Sequence, residues 1–174
     1  MSTNAIVRLI YASTATFVPQ RDPNGIEVQV GRILMQSRRN NAREQIGGVL
    51  HYGDGYFFQC LEGDRDRVNR TYQRISEDPR HKDLHLLAVE NVEQRMFQDW
   101  SMKYVTIEQQ VNDLLKRHRL KQFNPYAFEK PMIHDLLLTC VEASDPSRGV
   151  IPDQPASSDP RPRKSGLFGR LFGR

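Results

Sequence analysis

The fold is decided by residues 46–63, IGGVLHYGDGYFFQCLEG, in which two apolar runs flank the tripeptide Gly-Asp-Gly at 53–55. An Asp-Gly pair between two such runs is the strongest short-range signal for a β-hairpin, because these residues tolerate the positive φ angles of a tight turn. Residues 46–52 and 56–61 are therefore predicted to be two neighbouring antiparallel strands.

One strand and one helix are predicted before this hairpin. Residues 5–11, AIVRLIY, are short and rich in β-branched side chains, as is typical of a strand that ends at Tyr11. After a proline-containing loop, apolar residues recur at helical spacing until the polar cluster at 38–41, where the helix is expected to end. The residues that share one face of this helix are Ile26, Val30, Ile33, Leu34 and Ser37.

A helix and two strands are predicted after the hairpin. Asp64 is a suitable N-cap for a helix that stops before Pro79. Residues 84–92 are predicted to form a long buried strand, and residues 101–107 alternate as a further, half-exposed strand.

The order β-α-β-β-α-β-β predicts an α+β protein with a ferredoxin-like sheet and two helices on one face. Two more helices are predicted at 111–120 and 131–141. The second of these is so apolar that it needs a packing surface, and the open face of the sheet is the obvious one.

Composition separates a folded part from a basic tail. Residues 145–174 hold half of the ten prolines and few large apolar residues, so they cannot bury enough surface to offset the loss of backbone entropy. They also contain six Lys/Arg and three Asp, which supplies +3 of the net charge of +4. We expect a folded domain at 1–107, a helical extension at 108–144 and a disordered basic tail at 145–174.

Several classes of protein are disfavoured by what the sequence lacks. No apolar run has the length of a membrane span or the pattern of a signal peptide, so the expected location is the cytoplasm. Cys60 and Cys140 are too few for a disulfide framework and are expected to be small buried hydrophobes. The charges of the folded part nearly balance, so a nucleic-acid partner is not expected despite the basic pI of 9.2.

Three polar side chains are expected to point into the groove beneath the two helices: Tyr11, Asn41 just past the first helix, and Gln59 within an apolar strand. A buried amide without partners costs about 1–3 kcal/mol, so Gln59 must be paired. The three side chains could form hydrogen bonds with one another or with nearby backbone groups, and Asn41 could be a helix C-cap. Together they suggest instead a planar ligand with a polar edge, such as isoalloxazine.

The sequence resembles the BLUF family, the sensors of blue light using FAD. The resemblance covers residues 7–106 and depends on three segments in register, which are SRRNNAREQIGGVLHYGDGYFFQCLEG, DPRHKDL and RMFQDWSMKY. It implies a photoreceptor rather than an enzyme, with FAD as the bound cofactor and FMN or riboflavin as alternatives. One departure is Gly47-Gly48, where the family often has Thr or Ser before the glycine.

The resemblance also implies roles for individual residues. In the family, light moves an electron and a proton from a tyrosine by way of a glutamine, whose amide is left rearranged, by rotation or tautomerism, until the dark state returns. Tyr11 and Gln59 occupy those places, and Asn41 matches the residue that holds C4=O and N3–H. The other expected cofactor contacts are Ile33 and Ile75 on the ring faces, Ser37 and Asn40 beside the ring, and Arg74, Asp78, Arg80 and His81 at the ribityl and phosphate end.

Signal output is expected to involve Trp100 and Met102, which match a family pair at the start of the fifth strand. An aromatic and a thioether that simply fill the core are the alternative interpretation. Because no catalytic domain is visible, the expected output is an unknown downstream protein or a change of assembly, and a homo-oligomer is expected. The tail ends in RKSGLFGRLFGR, which could dock weakly on a membrane or a partner.

Two other classes of protein share a ferredoxin-like sheet. An RNA-binding module would use Tyr56, Phe57 and Phe58 as stacking aromatics, but the strand YFFQCLEG lacks the basic residues of such a surface. A small enzyme of the acylphosphatase kind would need an anion-binding loop after the first strand, and the segment STATFVPQ offers none.

Overall fold

The computed structural model describes residues 5–20, 27–97, 99, 101–105 and 107–143. Trp100 and the expected tail at 145–174 therefore lie outside the described residues. The elements follow in the order β1 (Ile6–Ala15), α1 (Val28–Glu44), β2 (Gly47–Gly53), β3 (Tyr56–Asp64), α2 (Arg65–Ser76), β4 (His81–Asn91), β5 (Lys103–Tyr104), α3 (Glu108–Arg117) and α4 (Lys130–Glu142). A short 3-10 turn, Pro125–Ala127, joins the last two helices.

The five strands form one sheet in the order β4-β1-β3-β2-β5. All neighbours are antiparallel except β5, which runs parallel to β2. The hairpin predicted at 53–55 is present: Asp54 and Gly55 have φ angles of 51° and 83°, the positive values that a two-residue turn of this kind needs. At Gly48 of the same hairpin no side chain fits, because a Cβ would lie 2.1 Å from the carbonyl oxygen of Cys60.

Each face of the sheet has its own apolar core. Alternate side chains of β1 and β3, such as Leu9, Phe57 and Leu61, pack beneath α1 and α2. The intervening residues of these strands face α3 and α4, which cover the opposite side of the sheet. The buried side chains of these two helices are Val111, Leu114, Leu115, Met132, Ile133, Leu136, Leu137 and Cys140. The predicted α+β fold, with the C-terminal helices on the opposite face, is confirmed.

The first strand and the first helix are longer than predicted. Strand β1 continues to Ala15, so Tyr11 lies within it rather than at its end. Helix α1 continues to Glu44, so Asn41 lies inside the helix, and the C-cap is Gln45 with a φ of 55°. The interpretation of Asn41 as a position past the helix was wrong, because its side chain has a tertiary partner and does not compete with the helix backbone.

The strand predicted at 84–92 is present as β4, but the prediction that it is buried was wrong. Strand β4 forms an edge of the sheet, and Leu86 and Val89 are 45% and 47% exposed. The apolar run could not indicate the edge position, since an apolar run of this length can form either an edge strand or a central strand. Strand β5 is only two residues long, so Met102 precedes it instead of lying at its start.

Candidate functional site

A cavity lies between α1 and α2 on the sheet face that they cover. Its volume is about 110 Å³ and it opens to solvent. The side chains that line it are Ile33, Gln36, Ser37, Asn40, Asn41, Gln59, Thr71, Arg74, Ile75, Asp78, Arg80 and His81. Ten of the eleven residues expected to contact a cofactor are in this set. The exception is Tyr11, which lies behind Gln59.

Tyr11 and Gln59 are joined by a hydrogen bond in the floor of the site. They are directly paired on the neighbouring strands β1 and β3, and the Tyr11 hydroxyl donates to Oε1 of Gln59. Both side chains are buried. Burial, with smaller contributions from Tyr72 and Asp78, raises the pKa of Tyr11 well above its ordinary value, so the phenol keeps its proton.

The other end of the Gln59 amide points to the segment that leads into β5. Its Nε2 lies 3.5 Å from Sδ of Met102, which is 2% exposed. The Met102 side chain therefore contacts the amide directly, and it does so from the chain segment next to the edge strand. The sequence left open whether Trp100 or Met102 faces Gln59, and the structure brings Met102 into contact with it, while Trp100 lies outside the described residues.

Two side chains of α1 hold this same segment. Nδ2 of Asn41 donates to the carbonyl of Ser101 at 2.7 Å, and Nε of Arg38 donates to the carbonyl of Met102 at 3.0 Å. Asn41 thus borders the cavity and anchors the segment before β5. Arg38 could not be identified from the sequence, because one arginine in a polar cluster carries no signal of a tertiary contact.

The mouth of the cavity is polar and carries charged groups. Nε of Arg80 donates to Oδ1 of Asp78 at 2.9 Å, and this hydrogen bond holds the pKa of Asp78 below its ordinary value. The Arg80 guanidinium also donates to Oε1 of Gln36 at 2.7 Å, which links the loop after α2 to α1. Gln36 and Thr71 line the cavity as well, and the sequence analysis did not identify them.

His81 is fixed to the sheet. Its Nδ1 lies 2.8 Å from Oγ of Ser13, and its ring packs on Phe57 with centroids 4.5 Å apart. Burial is the main reason that its pKa falls to about 4, so the imidazole is neutral near pH 7. A neutral ring at this position offers a hydrogen-bonding edge without adding positive charge.

This set of side chains fits a flavin. Aliphatic groups from the two helices, Ile33 and Ile75, suit the faces of a planar ring, and amide and hydroxyl groups suit an edge with both donors and acceptors. The guanidinium groups at the mouth suit a phosphate. The cavity is small beside the ~300–1,000 Å³ of ordinary small-molecule sites, so a large ligand would lie only partly inside it.

The remaining features of the chain do not point to a different flavin site, an RNA surface or a metal centre. A larger cleft of about 540 Å³ near the hairpin is lined by none of the predicted residues. Its buried His51 is hydrogen-bonded within the protein, since Nδ1 of the ring lies 3.0 Å from the carbonyl oxygen of Val105. Phe57 and Phe58 are completely buried, so they cannot stack on RNA bases. Among the described residues there is no group of three potential metal ligands and no helix long and apolar enough to cross a membrane.

Comparison with known sequences identifies the family. The family model described as sensors of blue-light using FAD (BLUF) matches residues 6–103. The photoactivated adenylate cyclase subunit beta of Euglena gracilis is 31% identical over 97 residues, which are 55% of this chain and 11% of that protein. The blue light- and temperature-regulated antirepressor BluF of Escherichia coli (strain K12) is 29% identical over 69 residues, 40% of this chain and 17% of that protein. The matched region is thus a small part of either relative.

Two solved structures match the fold of this chain over most of its length. The BlsA photo-activated state has a TM-score of 0.68 and 31% identity, and the match covers 78% of this chain and 94% of that one. The dark state structure of BlrB, a BLUF protein, has a TM-score of 0.64 and 27% identity, over 80% of this chain and 98% of that one. Both matches extend past the end of the region that the family model covers.

Proposed function

The chain belongs to the BLUF family, the sensors of blue light using FAD, and on that premise we propose that Tyr11 and Gln59 are its photoactive pair. The single observation that supports this assignment is their buried hydrogen bond in the floor of a cavity lined by two helices. FAD, when bound, supplies the absorption of blue light and a ring that accepts an electron and a proton.

Tyr11 is the donor. Because its phenol is neutral in the dark, it would give an electron to the light-excited ring when FAD is bound, and its proton would move along the existing hydrogen bond toward Oε1 of Gln59. The electron and the proton return to Tyr11 within the same cycle. The net change that remains is the arrangement of the Gln59 amide.

Gln59 converts this cycle into a signal through Met102. If the amide rotates, Nε2 turns toward Tyr11 and Oε1 turns toward Met102. The contact between an N–H donor and the sulfur is then replaced by a contact between two acceptors, which is unfavourable. Met102 then loses this side-chain partner, which favours a shift of the short strand β5 that follows it.

The other cavity residues bind and orient the cofactor. Ile33 and Ile75 hold the ring between the helices, and Ser37, Asn40 and Asn41 face its polar edge. Asn41 can do this with its oxygen while its nitrogen holds Ser101. The residues that bind the ribityl and phosphate end are Arg74, Asp78, Arg80 and His81.

The output of the sensor is a partner protein or a change in self-assembly. Residues 1–107 sense light, and the helices of 108–144 transmit the shift of β5, because α3 begins four residues after that strand. Residues 145–174 carry six Lys/Arg against three Asp, a composition that favours weak docking on an anionic surface. Trp100 takes part with Met102 in the relay.

The test is a light-minus-dark absorption spectrum of the protein loaded with FAD. Wild type should show a small, reversible red shift. Tyr11→Phe and Gln59→Leu should bind FAD and show no such shift, because each removes one partner of the hydrogen bond. Tyr72→Phe is the matched control, since it deletes a hydroxyl from the ring that packs edge-on against Tyr11 at 5.3 Å. A normal shift in Tyr11→Phe would refute the donor assignment.

A further inference from the structure

A second cleft lies where the β2–β3 hairpin, strand β5 and the start of α3 meet. Its volume is about 540 Å³, which is within the ~300–1,000 Å³ of ordinary small-molecule sites. It shares no residue with the cavity between α1 and α2. The lining residues that carry an acid, an imidazole or an aromatic ring are Glu27, His51, Tyr52, Asp54, Tyr104, Glu108 and Phe123.

His51 offers one ring nitrogen to a ligand in this cleft. Its Nδ1 lies 3.0 Å from the carbonyl oxygen of Val105, and a carbonyl only accepts, so Nδ1 carries the ring proton. Burial is the main reason that the pKa of His51 is lowered, so the imidazole is neutral near pH 7 and Nε2 is an acceptor. The residue is 4% exposed, and within the described part of the chain Nε2 has no hydrogen-bond partner.

Gly53 leaves the Nε2 edge of this imidazole uncovered. A Cβ at position 53 would lie 3.3 Å from Nε2 of His51 and 3.3 Å from Cδ1 of Phe123, which is closer than side-chain carbons ordinarily approach. A larger residue there would cover the acceptor. The hairpin therefore combines a buried acceptor with an opening in front of it.

The charge of the cleft is negative. The carboxylates of Asp54 and Glu108 both act on the imidazole of His51 in the direction that favours a positive charge. Asp54 accepts a hydrogen bond from the backbone N–H of Phe123, and neither acid has a basic partner among the residues that the structure describes. Glu27 adds a third acid, and no Lys or Arg is among the described lining residues. The cleft therefore favours a cation.

A guanidinium group fits these features better than an ammonium group or a metal ion. Its planar fork carries five N–H donors, so one group can donate to the imidazole and to a carboxylate together. Its flat face suits the tyrosine and phenylalanine rings of the cleft. The described residues contain no group of three potential metal ligands. The expected ligand is an arginine side chain.

Residues 161–174, RPRKSGLFGRLFGR, contain such groups and are called the basic segment below; they lie outside the described residues. The basic segment has four arginines, one lysine and no acid, and its two Leu-Phe pairs add apolar side chains. The chain between residues 143 and 161 can span about 60 Å, which exceeds the ~40 Å diameter of a domain of this size. A tethered segment acts at an effective concentration on the order of millimolar, which favours it over free basic peptides of equal affinity.

We propose that this cleft binds an arginine side chain of the basic segment, from the same copy of the chain or from a second copy. The guanidinium donates to Nε2 of His51 and pairs with Asp54 and Glu108, and a Leu-Phe pair covers the aromatic rings. Because Tyr104 belongs to β5 and Glu108 begins α3, the bound segment joins these two elements. The inference goes beyond the photoactive pair and involves none of the flavin residues.

The first experiment is nitrogen NMR of the full chain, labelled with [15N]histidine, loaded with FAD and kept in the dark. An unprotonated ring nitrogen that accepts a hydrogen bond resonates upfield of a free one. Replacement of all four arginines of the basic segment by glutamine should therefore move the Nε2 signal of His51 downfield and leave its Nδ1 signal in place. Arg21→Gln is the control, since Arg21 follows Pro19 of the cleft in sequence, and it should leave both signals unchanged.

The second experiment adds a synthetic peptide of residues 161–174 to the same four-glutamine variant of the full chain. The peptide should restore the upfield position of Nε2 in a saturable way. A peptide with citrulline at the four arginine positions keeps the shape and lacks the charge, so it should bind at least tenfold more weakly. Asp54→Asn/Glu108→Gln in the protein should weaken the arginine peptide by a similar factor.

Four outcomes overturn the inference. An Nε2 signal that is the same in wild type and in the four-glutamine variant would show that the basic segment does not fill the cleft. A downfield shift in Arg21→Gln would assign the guanidinium to another part of the chain. Equal affinity of the two peptides would show that the cleft does not select guanidinium. A displaced Nδ1 signal would mean that the substitutions act through the fold. Failure of the proposed function is a separate result, because the red shift depends on Tyr11 and Gln59.

Discussion

The two faces of the sheet are filled in different ways. On the face covered by α3 and α4, β3 presents Phe58 and Cys60 to a continuous set of buried apolar side chains. On the face covered by α1 and α2, the same strand presents Gln59, which borders a cavity. One strand thus faces a closely packed core on one side and an incompletely filled site on the other.

This difference shows how a small domain can combine stability with a responsive site. An apolar core has few alternative arrangements, because close packing penalises any displaced side chain. A polar pair such as Tyr11 and Gln59 has at least two, since an amide can exchange its donor and acceptor ends. The α3/α4 face is therefore expected to determine stability, and the α1/α2 face is expected to determine photochemistry.

The largest expected effect is a loss of free energy of unfolding, and it should differ between the two faces of the sheet. Leu136 of α4 is completely buried, so Leu136→Ala should lower the free energy of unfolding by roughly 2–5 kcal/mol. Gln59→Leu should lower it by no more than about 1–3 kcal/mol, because the change removes a buried amide but leaves the buried Tyr11 hydroxyl without its acceptor. Urea unfolding of the two variants measures both effects. A large loss in Gln59→Leu alone would contradict the division between the faces.

An effect of intermediate size is expected in acid and involves His81. Its pKa is about 4 in the folded protein and 6.5 when unperturbed, so between these values the unfolded chain takes up a proton that the folded chain does not. Stability should therefore fall as the pH decreases from 6.5 to 4, by about 3 kcal/mol at the lower limit.

Replacement of single histidines sharpens this test. His51, on the α3/α4 face, also has a pKa lowered mainly by burial, so it should contribute in the same direction. Flavin-free His81→Asn and His51→Asn should each show a shallower dependence of unfolding free energy on pH than wild type. An unchanged slope in His81→Asn would mean that this residue does not titrate on unfolding.

The smallest expected effect concerns the link between α1 and the segment before β5. Arg38→Ala removes the hydrogen bond to the Met102 carbonyl and should cost about 1–2 kcal/mol. With Met102 held less firmly beside Gln59, the rate of dark recovery should change while the red shift persists. Arg43→Ala, on the same helix, serves as the control. An unaltered rate of dark recovery in Arg38→Ala would show that α1 takes no part in the signal relay through Met102.

Predictions from sequence were accurate where a local pattern determines structure. The Asp54-Gly55 turn, the Asp64 cap and the apolar face of α4 each depend on a few neighbouring residues, and each is present. Ten of the residues predicted to contact a cofactor line one cavity, because the resemblance to a known family fixed their relative positions. These residues remain predictions with respect to flavin contact.

Predictions were wrong where the outcome depends on distant partners. The exposure of Leu86 and Val89 follows from the position of β4 at the edge of the sheet, which no local pattern encodes. The extension of α1 past Asn41 is tied to the carbonyl of Ser101, sixty residues later. The role of Arg38 depends on Met102 in the same way.

The amino-acid sequence by itself determined the type and order of the elements, because alternation, helical spacing and turn residues are short-range properties of the chain. It also placed Tyr11 and Gln59 on strands, as candidates for one site. Only the tertiary structure decided that these two are hydrogen-bonded and that Met102 touches the amide. The reason is physical: hydrogen bonding, burial and charge balance depend on which distant groups the folded chain brings together.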